Sequence, residues 1–162
     1  MLPVYTYSPE EVDFILCGYK LQGWSSIAVS RAAPVFTKVT GIRGKSTRVR
    51  NKDTSATIFI DLVRTSPANT ILSEIVRLDS IHGTGRLELL IKDKQGGSLY
   101  SSVEAFIEGY PDDAFTTEIN NRRWVVNCLS TSDWNVAGNE QAQDSLFNRL
   151  SSSISNIAGD FL

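Results

Sequence analysis

Residues 54–63 read Thr54-Ser-Ala-Thr-Ile-Phe-Ile-Asp-Leu-Val63, and Arg64-Thr-Ser-Pro67 leads from them into Ala68-Asn-Thr-Ile-Leu72. The first half is rich in β-branched residues and alternates, with Ala56, Ile58, Ile60 and Leu62 on one side. That is the period of a strand with one buried face. The second half changes period. Ser66-Pro67 is an N-cap followed by proline at the first helical position. Ile71, Leu72, Ile75, Val76 and Leu78 then recur at helical spacing until Gly83. The pattern predicts one helix over about 67–81, laying an apolar stripe on a sheet.

Outward from this unit the chain reads as short strands broken by turns. Val12-Asp-Phe-Ile-Leu-Cys17 is an apolar run ending at Gly18, and Gly23 follows Tyr19 to Leu21. Ser26-Ile-Ala-Val-Ser-Arg31 alternates, with Ile27 and Val29 on one side, and Pro34 ends it. Leu87–Lys92 and Ser98–Ile107 flank Asp93-Lys-Gln-Gly-Gly97, a hairpin pattern. Ala114–Ile119 and Arg122–Cys128 flank Asn120-Asn121, read as a second hairpin. Sequential hairpins favour an antiparallel barrel or sandwich over a βαβ sheet. The expected fold is mainly β, with one flanking α-helix. From Asn139 to Ser153 there is no Gly or Pro, and Ala142, Leu146, Leu150, Ile154, Ile157 and Phe161 repeat at spacings of four and three. This predicts a C-terminal amphipathic helix over 137–162, behind a β domain of residues 1–136.

With 162 residues, 41% hydrophobic and 21% charged, the chain suits one domain with a sizeable core. No apolar run reaches the roughly 18 residues of a membrane-spanning helix. Met1-Leu-Pro-Val-Tyr-Thr-Tyr-Ser8 has neither the basic nor the apolar region of a signal peptide. Two cysteines, Cys17 and Cys128, lie far apart in apolar stretches and read as buried free thiols of a reducing compartment. His82 is the only histidine, which excludes a His-ligated zinc cluster, and it reads as the exit of the helix. Gly41-Ile-Arg-Gly-Lys-Ser-Thr47 echoes a phosphate-binding loop. Val39 stands where that motif needs glycine, and a strand follows instead of a helix. Gly83-Thr-Gly85 follows a helix and lacks a third glycine, so it reads as a turn. The adjacent carboxylates Glu10-Glu11 and Asp112-Asp113 sit beside prolines in turns, unlike an acid/base pair set across a cleft. No catalytic set, metal site or cofactor is expected.

The stretch over 37–53 is the informative one. Apolar periodicity is lost there, and six of the sixteen Lys and Arg residues fall within it: Lys38, Arg43, Lys45, Arg48, Arg50 and Lys52. Outside Lys38–Lys52 the chain holds ten basic residues against all eighteen acidic ones. An acidic body thus carries a basic arm, expected as a long loop. A solvated loop, a nucleic-acid arm and an arm docking on the acidic body of an identical neighbour are the three readings. The third is preferred, because head-to-tail charge complementarity suits a ring or a filament.

Several stretches together resemble the tail tube proteins of contractile-tailed bacteriophages. They are Tyr7-Ser-Pro-Glu-Glu-Val-Asp13, the strands around Gly18 and Gly23, and Phe36-Thr-Lys38 leading into an arm that ends Asn51-Lys-Asp53. The most specific is Ser55-Ala-Thr-Ile58 running on to Thr65-Ser-Pro-Ala-Asn-Thr-Ile-Leu72. Asp93-Lys-Gln-Gly-Gly97 and Ile119-Asn-Asn-Arg-Arg-Trp124 also fit, so the resemblance spans about 7–136. It implies a structural, non-enzymatic protein with a fold similar to the type VI secretion tube protein. Six copies would form a ring whose sheets join into one barrel, and rings would stack into the inner tube of a virion tail, assembled in the host cytoplasm. Partners implied are further copies of the chain, the tail sheath, baseplate hub, tape measure and tail terminator proteins, with double-stranded DNA as passing cargo and no membrane. Lys38, Arg43, Lys45, Arg48, Arg50 and Lys52 would then contact neighbouring subunits. Leu146, Leu150, Ile154 and Ile157 would pack on the outer wall or bridge to the next ring. A tailocin or type VI-like tube is the alternative within this class. A small β-barrel binding module with a basic recognition loop is the alternative outside it.

Overall fold

The computed structural model describes residues 7–83, 85–138, 150, 151, 153–157 and 159. Ten strands and one helix follow in order: β1 Val12–Leu16, β2 Tyr19–Lys20, β3 Trp24–Arg31, β4 Phe36–Thr40, β5 Ser46–Arg50, β6 Ala56–Leu62, α1 Ala68–His82, β7 Leu87–Asp93, β8 Leu99–Ile107, β9 Arg122–Cys128 and β10 Asp133–Asn135. Eight of the strands form one antiparallel sheet, in the order β2-β1-β7-β8-β9-β6-β3. β10 continues the edge of β9 along β8, and residues 129–132 form the interruption between them. The expected mainly antiparallel body with its flanking helix is present. Within one chain the sheet is open and not closed into a barrel, because β3 and the β1–β2 pair lie at its two ends without meeting.

Strand alternation sets the core. Ala56, Ile58, Ile60 and Leu62 of β6 are all buried, beside Trp124, Val126 and Cys128 of β9 and Phe14 and Leu16 of β1. Each large apolar side chain so buried contributes about 1.5–3 kcal/mol. On α1, Ala68 and Leu72 are buried and Ile75 and Val76 pack on the same cluster, whereas Leu78 is exposed. The helix begins one residue later than the capping pattern suggests, with Pro67 at the cap position. Ser66 still assists, because its Oγ accepts from the Ala68 N–H and donates to the Gln22 carbonyl. Gly23 packs against Ser66 and holds φ at +76°, so a side chain there would be both strained and obstructed. Gly83 ends the helix in the left-handed conformation, directly after His82.

Asn69 is the polar centre of this corner and is itself buried. Its amide N–H groups are shared among the carbonyls of Val63, Arg64 and Ser66 at 3.0–3.3 Å. Its Oδ1 accepts from the Trp124 indole N–H at 3.0 Å. One side chain therefore ties the β6–α1 turn, the first turn of α1 and β9 together.

Three expectations are corrected. Ala114–Ile119 is not a strand, so the second hairpin is absent, and residues 108–121 form a connection ahead of β9. β8 occupies that flank of β9 at Val126–Cys128, and the Asp113 carboxylate ties the segment to Arg64 and Arg122 instead of into a ladder. Cys17 is exposed, in the turn that closes β1 onto β2, while Cys128 is buried, and both are free. Burial pushes the Cys128 thiol up in pKa, against a smaller opposing effect of its hydrogen bond with Ser102. The basic stretch is not a structureless loop but a β-hairpin, described below.

On β1, Asp13 takes ion pairs from Lys20 at 2.8 Å and Lys94 at 3.0 Å, drawing β2 and the β7–β8 turn onto the strand. The hydrogen bonds from Lys20 and then Lys94 hold its carboxyl below the ordinary carboxylate value. Asp13 thus adds stability above the unfolded-state pKa and loses it as pH falls through the lower folded value. Asp13→Asn is expected to flatten the acid limb of the melting-temperature profile while sparing the profile near neutrality most of its shape. An acid limb identical to that of the parent would show the ion pairs to be inconsequential.

Candidate assembly surfaces

β4 and β5 form a two-stranded arm that pairs with no other strand. Residues Phe36–Thr40 and Ser46–Arg50 pair in register from Phe36↔Arg50 to Thr40↔Ser46, and every one of them is exposed. The turn explains its formation. The Gly44 N–H donates to the Gly41 carbonyl and the Gly41 N–H to the Lys45 carbonyl, with Gly44 at φ +83°. This is the short hairpin loop that needs glycine in the left-handed position. The root is fastened by Asn51 N–H to the Val35 carbonyl and Ala32 N–H to the Ser55 carbonyl. Asp53 adds an Asx turn, accepting from the Ser55 N–H at 2.9 Å. That backbone hydrogen bond is the main reason its pKa is lowered.

Cross-strand pairing sorts the arm into two faces. Phe36, Lys38, Arg48 and Arg50 share one, where the Arg48 guanidinium lies 4.2 Å from the Phe36 ring centroid. Thr37, Val39, Thr47 and Val49 share the other. Ile42, Arg43 and Lys45 occupy the tip, and Lys52 follows the root. The structure thus brings Lys38, Arg48 and Arg50 together and sets Arg43 and Lys45 apart from them. Among the described residues no salt bridge engages any of the six. An isolated hairpin of exposed β-branched residues is marginal on its own, and among the described residues this arm pairs with no further strand.

Two further surfaces lack partners. β3 is an eight-residue strand whose ladder is paired only with β6, and β1 is covered at one end only, by the two-residue β2. Long unpaired edges are templates for strands of another chain. The connection over 108–121 is held down by Asp113, which pairs with Arg64 at 2.8 Å and Arg122 at 3.0 Å. It leaves Phe115 and Ile119 exposed, and sequence reading missed it by assigning a strand. Residues 150, 151, 153–157 and 159 are helical, with Leu150, Ile154 and Ile157 exposed, whereas Leu146 lies outside the described residues.

Nothing in this arrangement resembles a reaction centre. His82 is at the solvent-facing end of α1, and Gly41–Thr47 is a hairpin tip without a following helix. Among the described residues no cluster of three or more His, Cys, Asp or Glu is placed to hold a metal, and no helix is long and apolar enough to cross a membrane.

No protein-family model matches the chain. Structural protein ORF10 of Pseudomonas phage KPP10 is 32% identical over 138 residues, covering 78% of this chain and 80% of that protein. The fold is similar to that of a chain in the tube-terminating cap of the anti-feeding prophage, with TM-score 0.60 and 10% identity over 83% of this chain and 95% of that one. It is also similar to a chain of the sheath-tube complex of an extracellular contractile injection system, PVC, with TM-score 0.57 and 13% identity over 78% and 90%. A chain in the tail of an empty gene transfer agent particle, refined with C6 symmetry, gives TM-score 0.57 and 14% identity over 81% and 100%. At these identities the three structures establish a shared fold.

Proposed function

The chain belongs to the family of phage structural proteins that includes structural protein ORF10 of Pseudomonas phage KPP10, and from that membership we propose that it is the subunit of the inner tail tube of a contractile phage. Its role is structural and not enzymatic. Six copies join edge to edge into a ring, rings stack, and the tube so formed conducts DNA. The observation that carries this reading is the open sheet: among the described residues, the β3 edge is unpaired and ends beside an arm that joins no other strand. In a ring, β3 of one copy meets the β1–β2 edge of the next, which removes both edges at once. The imbalance of ten basic residues against eighteen acidic ones outside Lys38–Lys52 supports the same reading. An acidic wall repels DNA in transit and attracts the basic arm of a neighbour. The sheath, baseplate hub, tape measure and terminator are the partners such a tube requires, and the helical residues near the C-terminus offer apolar surface to the outer wall or the next ring.

Likeness to a tube-terminating cap favours a second reading, a terminator that closes a tube and does not propagate. Negative-stain microscopy of the purified protein across concentration and salt separates the two. A tube subunit gives hollow tubes that lengthen with concentration. A terminator stops at single rings. Raising salt from 0.1 to 1 M shortens the screening length from about 10 Å to about 3 Å, so arm docking by charge should shift assembly to higher protein concentration. A protein that stays monomeric throughout, including with preformed tube seeds, would overturn both readings.

A further inference from the structure

A cleft of about 440 Å³ opens between the C-terminal end of α1 and β8. Ala105, Phe106 and Leu129 give it an apolar wall, and Asp79, Glu104 and Arg86 bring charge to it. Leu129 is 59% exposed although it follows the buried Cys128. Gly85 has no side chain to fill the space, and a Cβ there would collide with the Asp79 carboxylate. At the tip of the arm, Ile42 is as exposed as an isoleucine can be, and Arg43 and Lys45 follow it in the turn. An apolar knob followed by two cations and an apolar hole with two carboxylates against one arginine are complementary.

Position makes the match specific. Cys128 pairs on one side with Ala56, where the chain re-enters the sheet from the arm, and on the other with Ala105, in the wall of the cleft. Arm root and cleft therefore lie at the same end of the sheet. Copies related by rotation about a ring axis keep that end level, so no axial offset separates the arm root of one copy from the cleft of the next. The span also agrees. If β3 abuts β2 of the next copy, β8 of that copy lies four strand spacings away, about 19 Å. The five-residue strands of the arm with their turn reach roughly 20 Å.

We propose that Ile42 of one copy seats in the cleft between α1 and β8 of the next copy in the same ring, with Arg43 and Lys45 pairing to Asp79 and Glu104. This rests on the edge-to-edge ring proposed above and adds which surfaces lock it. The arm tip is then a lateral clasp within a ring.

The test is a benzophenone amino acid in place of Ile42 in the full-length chain, irradiated after assembly and mapped by mass spectrometry. Adducts between copies at residues 104–106 or at Leu129 are expected. Rings or tubes whose adducts fall elsewhere, including on Leu150 to Ile157 or on another arm, would overturn the clasp and leave the tube reading intact. Failure of the parent protein to assemble under any condition would overturn both. Charge reversal supplies a second measurement, at the exposed Arg43 and Lys45 and the half-buried Asp79 and Glu104. Arg43→Glu with Lys45→Glu should raise the concentration needed for assembly on the order of tenfold or more. Adding Asp79→Lys and Glu104→Lys in the same chain should restore most of that loss. If the combined variant, folded by its melting curve, assembles no better than the first, the pairing is wrong.

Discussion

Replacing residues 36–50 with a short glycine-serine link is expected to give a folded monomer that forms neither rings nor tubes. All ten strand residues of the arm are exposed, and β4 and β5 pair only with each other. Removing them takes nothing from the cluster around Trp124, Phe14 and Ile60. Loop shortening is nearly neutral thermodynamically, and changes at exposed sites stay within about 0.5 kcal/mol, so the melting temperature should move by a few degrees at most. Assembly loses much more. The arm carries five of the chain's sixteen basic residues, Lys38, Arg43, Lys45, Arg48 and Arg50, and the exposed Ile42, Val39 and Val49, a strongly cationic surface suited to the acidic body. Scanning calorimetry reports the fold, and sedimentation velocity with microscopy reports the assembly. Normal tubes from the deleted chain would sink the arm as an assembly element. An unfolded product would show that the arm holds the body together, contrary to its isolation in the sheet order.

What the sequence shows about this molecule depends on whether an element is decided by its own residues or by its neighbours. β6 is decided locally: Ala56, Ile58, Ile60 and Leu62 alternate because one face of the strand is sealed. α1 is also local, since its apolar stripe, its proline and its terminal Gly83 agree. Two segments are decided elsewhere. Residues 114–119 alternate as a strand does, yet β8 takes the flank of β9 at Val126–Cys128 and Asp113 anchors the segment to Arg64 and Arg122 instead. The arm is the reverse case. Its alternation is real, with Thr37, Val39, Thr47 and Val49 opposite Lys38, Arg48 and Arg50. It was obscured because neither face is buried, so no apolar run marks it. The signal available was the turn itself: two glycines separated by Ile42 and Arg43, with Gly44 suited to the left-handed position, between β-branched stretches. The open edges were not legible at all, because closure of the sheet is a property of several copies. Of the surfaces expected to act in assembly, the basic residues were visible as a cluster, while the cleft beside Asp79 and Leu129 is assembled from α1, β8 and the end of β9 and has no linear signature.

Asn69→Ala should be the most damaging single polar substitution in the body. Thr65-Ser-Pro-Ala-Asn69 is the stretch that most specifically carries the family resemblance, and the structure supplies a physical reason for its asparagine. Alanine keeps the helix propensity but removes an amide that serves the carbonyls of Val63, Arg64 and Ser66 and an oxygen that serves Trp124. The indole N–H of Trp124 is then left unpaired in the core, and each buried group so stranded costs about 1–3 kcal/mol. Partial relief by water at the turn carbonyls brings the expected loss to about 3–4 kcal/mol, a large share of the 5–15 kcal/mol typical of a domain. At about 2–4 °C per kcal/mol, the melting temperature should fall by roughly 10 °C. Asn69→Asp separates the two halves of the role. It preserves shape and the acceptor for Trp124, but presents a carboxylate to three carbonyls, so it should be no milder than alanine. Trp124→Phe strands the Asn69 oxygen and also leaves a cavity where the fully buried indole was, so it should cost at least as much as the stranded acceptor alone. A loss below about 1 kcal/mol for Asn69→Ala would show that the turn and β9 hold α1 without it. The consequence reaches the assembly surface through a rigid element. Asn69 fixes the start of α1, and Asp79 near its other end forms one side of the cleft. An α1 that is loose at its first turn presents that carboxylate imprecisely. Asn69→Ala protein, still folded at low temperature, should therefore need a higher concentration to assemble than its residual stability alone explains. Sedimentation at 4 °C, far below its melting transition, measures that difference.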